Sequence, residues 1–207
     1  MAKTVICISR ALGAGGEEVA RAVCADMGYR YVDDEIISKA ADEAGVSRDV
    51  VQEAEHTKGL LARILESMAG TGVVEGGMWG GNTELPVYTS ESYHGVIQDV
   101  IRQTAEEGNV VIVAHAASIP LAGMNGLLRV LVTASPAARA ARIQRDANVN
   151  TAAAAKAIVD SDHQREGYLQ RFYHVQHEGP LNYDLVINTD VLGPQQAMQV
   201  ILAAAKS

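Results

Sequence analysis

The run Val5-Ile6-Cys7-Ile8-Ser9-Arg10-Ala11-Leu12-Gly13-Ala14-Gly15-Gly16-Glu17-Glu18-Val19-Ala20 constrains this chain more than any other stretch. A short apolar, β-branched segment reads as a buried strand. It meets a glycine-rich turn, and the turn opens an amphipathic helix. Strand, glycine loop and helix in that order form a phosphate-binding device. Glycines let the backbone approach an anion, the N–H groups point inward, and the helix N-terminus adds positive dipole. Gly13, Ala14, Gly15 and Gly16 are the candidate cradle. The same residues would also serve as a tight strand-to-helix turn that holds nothing. Phosphate loops commonly end in Gly-Lys-Ser/Thr. Here Gly15 and Gly16 are followed by Glu17 and Glu18, so the usual cation is missing.

The rest of the chain alternates two patterns. Strands are expected at residues 4–9, 29–32, 110–114, 128–133 and 185–188, most of them short, apolar and β-branched. Helices are expected at 16–27, 33–44, 47–56, 59–68, 90–107, 135–145, 151–160, 161–176 and 194–205. Ser47 and Ser135-Pro136 mark helix starts, and Gly45 and Gly108 follow helix ends. Alternating strands and helices imply an α/β fold with a parallel sheet. A length of 207 residues suits one domain with a full core, spanning 1–207. Residues 70–86 break the rhythm. They are rich in glycine and carry Met78 and Trp79. Such a segment is a lid or the contact of a homodimer, or else a plain insertion.

Charge narrows the partners. A net charge of −8 argues against nucleic acid or an anionic membrane surface as the main partner. A few local arginines can still hold a small anion. Cys7 and Cys24 are expected to be buried thiols in a reducing compartment. No apolar run approaches the length of a membrane span, so a cytoplasmic protein is expected.

Several segments together resemble the cytidylate kinase-like family, a branch of the P-loop nucleoside monophosphate kinases with a lysine-free glycine loop. Ile8-Ser9-Arg10, Gly13-Ala14-Gly15-Gly16 and Val19-Ala20 resemble its opening. Tyr31-Val32-Asp33-Asp34-Glu35-Ile36-Ile37 is similar to its Tyr-Asp-Arg-Glu-Leu-Ile segment. Val110 to Ala117 stands where family members read Val-Ile-Val-Gly-Arg-Gly-Ala. Val130 to Pro136, with Arg139 and Arg142, resembles the strand and helix entering the ATP lid. Asp162-His163-Gln164-Arg165, with Tyr168 and Phe172-Tyr173, resembles an Asp-x-x-Arg helix followed by paired aromatics. The matches run in order over nearly the whole chain.

The resemblance implies a five-stranded parallel sheet flanked by helices. It places an acceptor-binding helical insertion at about 33–95 and a lid at about 139–176. It implies phosphoryl transfer from ATP, with Mg2+, to a nucleoside monophosphate such as CMP or a related small phosphate acceptor. Such chemistry needs positioning and charge neutralisation. Arg10, Arg139, Arg142 and Arg165 are then the catalytic candidates. Gly13 to Glu18, with Arg145, would face the nucleotide, and Asp33, Asp34, His115 and Asp162 the acceptor.

Each residue also has a plainer use. Arg10 replaces the loop lysine or forms a surface ion pair. Glu18 holds the metal or is a favourable acid in a first helical turn. Arg139, Arg142 and Arg145, spaced by three, line one side of a helix that faces ligand or solvent. Asp162 and Arg165, three apart, bind the acceptor or each other. Either Asp33 or Asp34 faces the acceptor or caps a helix. His174 and His177 suggest a metal pair but are expected as surface residues. Two departures are local: His115 stands where the family has arginine, and Glu17 where arginine is frequent. Two other functions share these residues: a non-catalytic nucleotide-binding regulator, and a kinase of a non-nucleotide metabolite.

Overall fold

The computed structural model describes residues 3–49, 51, 90–113, 116–176 and 178–207. The five expected strands form one parallel sheet. They are β1 (Val5–Arg10), β2 (Arg30–Val32), β3 (Val110–Val113), β4 (Leu127–Thr133) and β5 (Leu185–Asn188). Their order is β2-β3-β1-β4-β5, with β1 central. Val5 is in register with Val110 on one side and Leu127 on the other. All six residues of β1 except Arg10 are buried. A strand covered on both faces needs such a continuous apolar run.

Side chains of β1 alternate between two cores, as strand geometry requires. Ile6 and Ile8 pack with Val19 and Val23 of α1 (Gly16–Met27) and with Ile201 and Leu202 of α6 (Pro194–Lys206). Val5 and Cys7 pack on the opposite face. Their partners are Ile36 and Ile37 of α2 (Asp34–Ala44) and Ile97 and Ile101 of α3 (Ser90–Glu106). The sheet is thus a middle layer between two helical layers. The order places β1 between β3 and β4, and the chain crosses to opposite sides of the sheet there. Ligands in open α/β sheets bind outside the strand carboxyl ends at such a switch point.

Local chemistry sets the helix ends. Ser135 Oγ accepts from Ala138 N at 3.3 Å, with Pro136 opening α4 (Pro136–Ala147). Asn150 Oδ1 accepts from Ala153 N at 2.9 Å at the start of α5 (Thr151–Tyr173). The structure corrects one expectation here. The segments 151–160 and 161–176 are a single helix of 23 residues. Neither glycine nor proline interrupts it around Ser161, and Lys156 bonds Asp160 one turn on. Ala154 and Ile158 pack on Ile143 of α4, so the helix continues past a residue that could have capped a new one. Arg48, Asp49 and Val51 are helical as expected. The remainder of the helix expected at 47–56, the one at 59–68, and the 70–86 segment with Met78 and Trp79 lie outside the described residues. No described helix is long and apolar enough to cross a membrane.

Candidate nucleotide-phosphate site

The turn from β1 to α1 carries three glycines with three different requirements. Gly13 has φ 77°, and a Cβ there would meet the backbone oxygen of Arg139 at 2.8 Å. It lets α4 approach the loop. A Cβ on Gly16 would meet Arg10 Cβ at 2.6 Å, so Gly16 lets the Arg10 stem lie against the loop. Gly15 has φ 78° and open space where its Cβ would be. The loop is therefore packed beneath Gly13 and Gly16 and open above Gly15.

The backbone polarity matches this shape. Ala14 N donates to Ala11 O at 3.0 Å and closes the turn, and Val19 N donates to Gly15 O at 3.2 Å and begins the helical ladder. Among the described residues, the N–H groups of Gly13, Gly15, Gly16, Glu17 and Glu18 meet no acceptor within the chain. Five such donors at and before a helix N-terminus, four of them consecutive, are an arrangement suited to an anion such as phosphate. They lie at the carboxyl edge of the central strand.

Arg10 ends β1 beside this surface. Its Nη2 lies 2.6 Å from Glu17 Oε1 and 3.6 Å from Asp33 Oδ2. Its Nε is buried and meets no acceptor among the described residues. Asp33 also accepts from Tyr31 Oη at 3.3 Å. Burial, with Asp33 and Glu17 adding to it, pushes the Tyr31 phenol up to about 12. Asp34 instead pairs with Arg48 at 3.1 Å. Of the two adjacent aspartates, Asp33 is the one brought to Arg10.

A profile of the cytidylate kinase-like family matches residues 5–191, which spans the strand, the loop and all five strands of the sheet. This chain belongs to the cytidylate kinase-like family. Solved structures share its fold at low identity. A protein from Eubacterium ventriosum described as uncharacterized is 15% identical, with TM-score 0.66 and 98% of each chain covered. The shikimate kinase of Bacteroides thetaiotaomicron is 14% identical, with TM-score 0.52 and 98% of each chain covered. A sugar kinase from Janibacter is 9% identical, with TM-score 0.51 and 99% of each chain covered. Among curated protein sequences no relative matches.

The three α4 arginines of this cytidylate kinase-like chain are held by protein groups. Arg139 is 4% exposed, and its Nε donates to Leu12 O at 2.6 Å. Its two Nη atoms meet Asp162 at 2.9 and 2.7 Å. Arg142 Nη1 donates to Gly13 O at 3.2 Å and to Thr189 Oγ1 at 3.0 Å. Arg145 points to solvent and pairs with Asp146 at 2.8 Å. That hydrogen bond raises its pKa, and Glu18 adds to the effect, which places Glu18 and Arg145 in one local field. The three arginines thus descend from buried to exposed along α4 and do not share a single environment.

Of the two uses open to Asp162 and Arg165, pairing with each other across one helical turn is not what the structure shows. Asp162 pairs with Arg139, and Arg165 turns to Glu178 at 2.6 and 2.5 Å and to Tyr183 Oη at 3.2 Å. Tyr183 Oη in turn donates to Glu178. Burial opposes the charge on Arg165, but Glu178 and Tyr183 outweigh it and hold its pKa above the ordinary arginine value. Glu178 is likewise held below the ordinary carboxylate range, because Arg165 outweighs its burial. His115 and His177 lie outside the described residues. His174 ends α5 with φ 55°. Among the described residues no three His, Cys, Asp or Glu side chains cluster as a metal site. Cys7 and Cys24 are free and buried as expected, and burial pushes their thiols up to about 12 and about 11.

Thr189 and Glu178 escape a reading of the sequence. The one signal for Thr189 is its place directly after β5, at the carboxyl edge of the sheet. Glu178 stands beside His174 and His177 in the sequence, and nothing there points to Arg165, 13 residues away.

Proposed function

We propose that this chain binds ATP through the loop from Gly13 to Glu18 and transfers the terminal phosphoryl group to a small acceptor of the nucleoside monophosphate class, with CMP the first candidate. The observation that carries the reading is the loop itself, where the N–H groups of Gly13 and of Gly15 to Glu18 meet no acceptor among the described residues and the space beside Gly15 is open. Family membership supports phosphoryl transfer in general. Phosphoryl transfer asks mainly for positioning and charge neutralisation, and Arg10 is the cation beside these donors.

The residues present fit Mg2+ as well. Magnesium is commonly held by one or two carboxylates together with phosphate oxygens. Glu18 and Asp33 are the carboxylates that would serve. The ion would neutralise charge on the transferred group. Arg10 then has to exchange Glu17 for a phosphate oxygen, and Arg165 and Asp162 act on the acceptor from the lid.

A second reading, nucleotide binding without transfer, has its own observation. Arg10, Arg139, Arg145 and Arg165 each face a carboxylate. Coupled ADP release with ATP, Mg2+ and a panel of acceptors separates the readings. Turnover with a nucleoside monophosphate well above ATP hydrolysis alone is expected. Turnover only with shikimate or a sugar would replace the acceptor class. Saturable ATP binding by calorimetry with no turnover on any acceptor would establish the second reading, and absence of binding would remove both.

A further inference from the structure

Thr189 is 4% exposed and lies where the ends of β4 and β5 meet the loop. Its Oγ1 donates to Ala14 O at 2.8 Å and accepts from Arg142 Nη1 at 3.0 Å. Its N–H donates to Thr133 O at 2.8 Å. Thr133 O also lies 3.2 Å from Oγ1, but a hydroxyl has one proton, and the shorter contact is the one to Ala14. Arg142 completes the junction by donating to Gly13 O at 3.2 Å and, through Nη2, to the Thr189 carbonyl.

The carbonyls of Leu12, Gly13 and Ala14 are therefore each held by a side chain: Arg139, Arg142 and Thr189. In a trans peptide the C=O and the following N–H point opposite ways. Pinning the carbonyls of Leu12 and Ala14 underneath turns the N–H groups of Gly13 and Gly15 to the other side, where they meet no acceptor among the described residues. Glycine at these two positions is otherwise free to flip its peptide. The side chains remove that freedom.

We propose that Thr189, acting with Arg142, is a positioning residue that presents the loop N–H groups to phosphate. Its hydroxyl meets the Ala14 carbonyl and the Arg142 guanidinium, and it acts through the Ala14 peptide. The inference rests on the reading that this loop takes the phosphates of ATP. It also gives Arg142 a place beneath the loop in addition to the ligand-facing role that the resemblance implies. Preorganised donors owe their strength to not having to reorient when charge arrives.

Thr189→Val tests this. It keeps shape and backbone bonds, including Arg142 to the Thr189 carbonyl, and removes only the hydroxyl. Thr189→Ser restores it. The probes are a non-hydrolysable ATP analogue with Mg2+, titrated by calorimetry, and amide hydrogen exchange of Ala14 in the ligand-free protein. Ala14 N–H is bonded across the turn to Ala11. Thr189→Val is expected to weaken analogue binding about tenfold, in line with losing a buried hydrogen bond. It should also speed Ala14 exchange, while the serine variant stays within about threefold of the parent. Unchanged Ala14 exchange in Thr189→Val would overturn the proposal whether or not nucleotide binds. Equal losses in Val and Ser variants, tracking the fall in melting temperature, would also overturn it and assign Thr189 to packing. Failure of the parent protein to bind the analogue, with Ala14 exchange still accelerated in Thr189→Val, would sink the ATP reading and leave the loop-positioning role standing.

Discussion

Arg10 and Glu17 meet at 2.6 Å on the rim of the loop, the place where the proposed anion would approach. The Glu17 side chain is 56% exposed, so the pair itself adds little to stability. Its effect on a ligand is larger, because a carboxylate beside a phosphate repels it and also occupies the arginine. Removing that charge by Glu17→Gln is expected to tighten binding of an ATP analogue about threefold to tenfold at low salt, with the gain shrinking as ionic strength rises. Arg10→Ala is expected to weaken the same binding about tenfold or more, since a charge-assisted contact is lost. Calorimetry at two salt concentrations checks both. If Glu17→Gln binds more weakly than the parent, Glu17 is holding Arg10 in its working position, and the assignment of a competing role is wrong.

Between elements, carboxylates act as clasps. Arg139–Asp162 joins α4 to α5, and Arg165–Glu178 joins α5 to the segment that leads into β5. In the second clasp both partners are partly buried, at 23% and 17% exposure, whereas Asp162 of the first is 40% exposed. Replacing Glu178 by Gln leaves a partly buried guanidinium without its counter-charge. A loss of about 1–3 kcal/mol at pH 7 is expected, discounted from the cost of fully buried pairs for the remaining solvent contact. The sign with pH follows from the depressed Glu178 pKa. The carboxylate stabilises the fold above its unfolded pKa, near 4.5, and the benefit is lost as pH falls below that through the folded value. Urea midpoints of the parent and Glu178→Gln should therefore differ at pH 7 and converge towards pH 4 and below. A gap that stays constant over that range would show that something other than this charge is responsible. These clasps also show where the sequence stops being legible. The bounds of α1 and the five strands follow from apolar runs and flanking glycines, which act within a few residues. The partners of Asp162 and Arg165 do not. At a spacing of three they could have met each other, but the path of the chain from α4 and after α5 brings Arg139 and Glu178 closer. The unbroken α5 escaped for a related reason: packing on Ile143 overrides a local stop signal at Ser161. Gly13 to Gly16 were legible as a turn, whereas the carbonyl pinning beneath them needed Thr189, about 175 residues away in sequence.

At the scale of the whole molecule, the loop and the core report on each other through the two thiols. Cys7 lies in the centre of β1, and Cys24 lies on α1 in the core of the opposite sheet face. One precedes the loop and the other follows it. Both are buried, and burial lifts their pKa to about 12 and about 11, so almost no thiolate forms at pH 8 in the native protein. Reaction with a thiol reagent then has to pass through an opened state. Opening β1 breaks the sheet at its centre, where β3 and β4 both pair with it, so Cys7 is expected to label only on global unfolding. A ligand on the loop binds the native state alone and lowers the unfolded population by a factor of 1 + [L]/Kd. At a hundredfold excess of an ATP analogue over its Kd, labelling of Cys7 is expected to slow about a hundredfold. Cys24, at 8% exposure, has a shorter route through local fraying of α1 and is expected to slow less. Site-resolved mass spectrometry of labelling with and without the analogue separates the two thiols. Equal, analogue-insensitive labelling of both would mean that β1 opens without disturbing the loop, and the coupling of core to site would have to be abandoned.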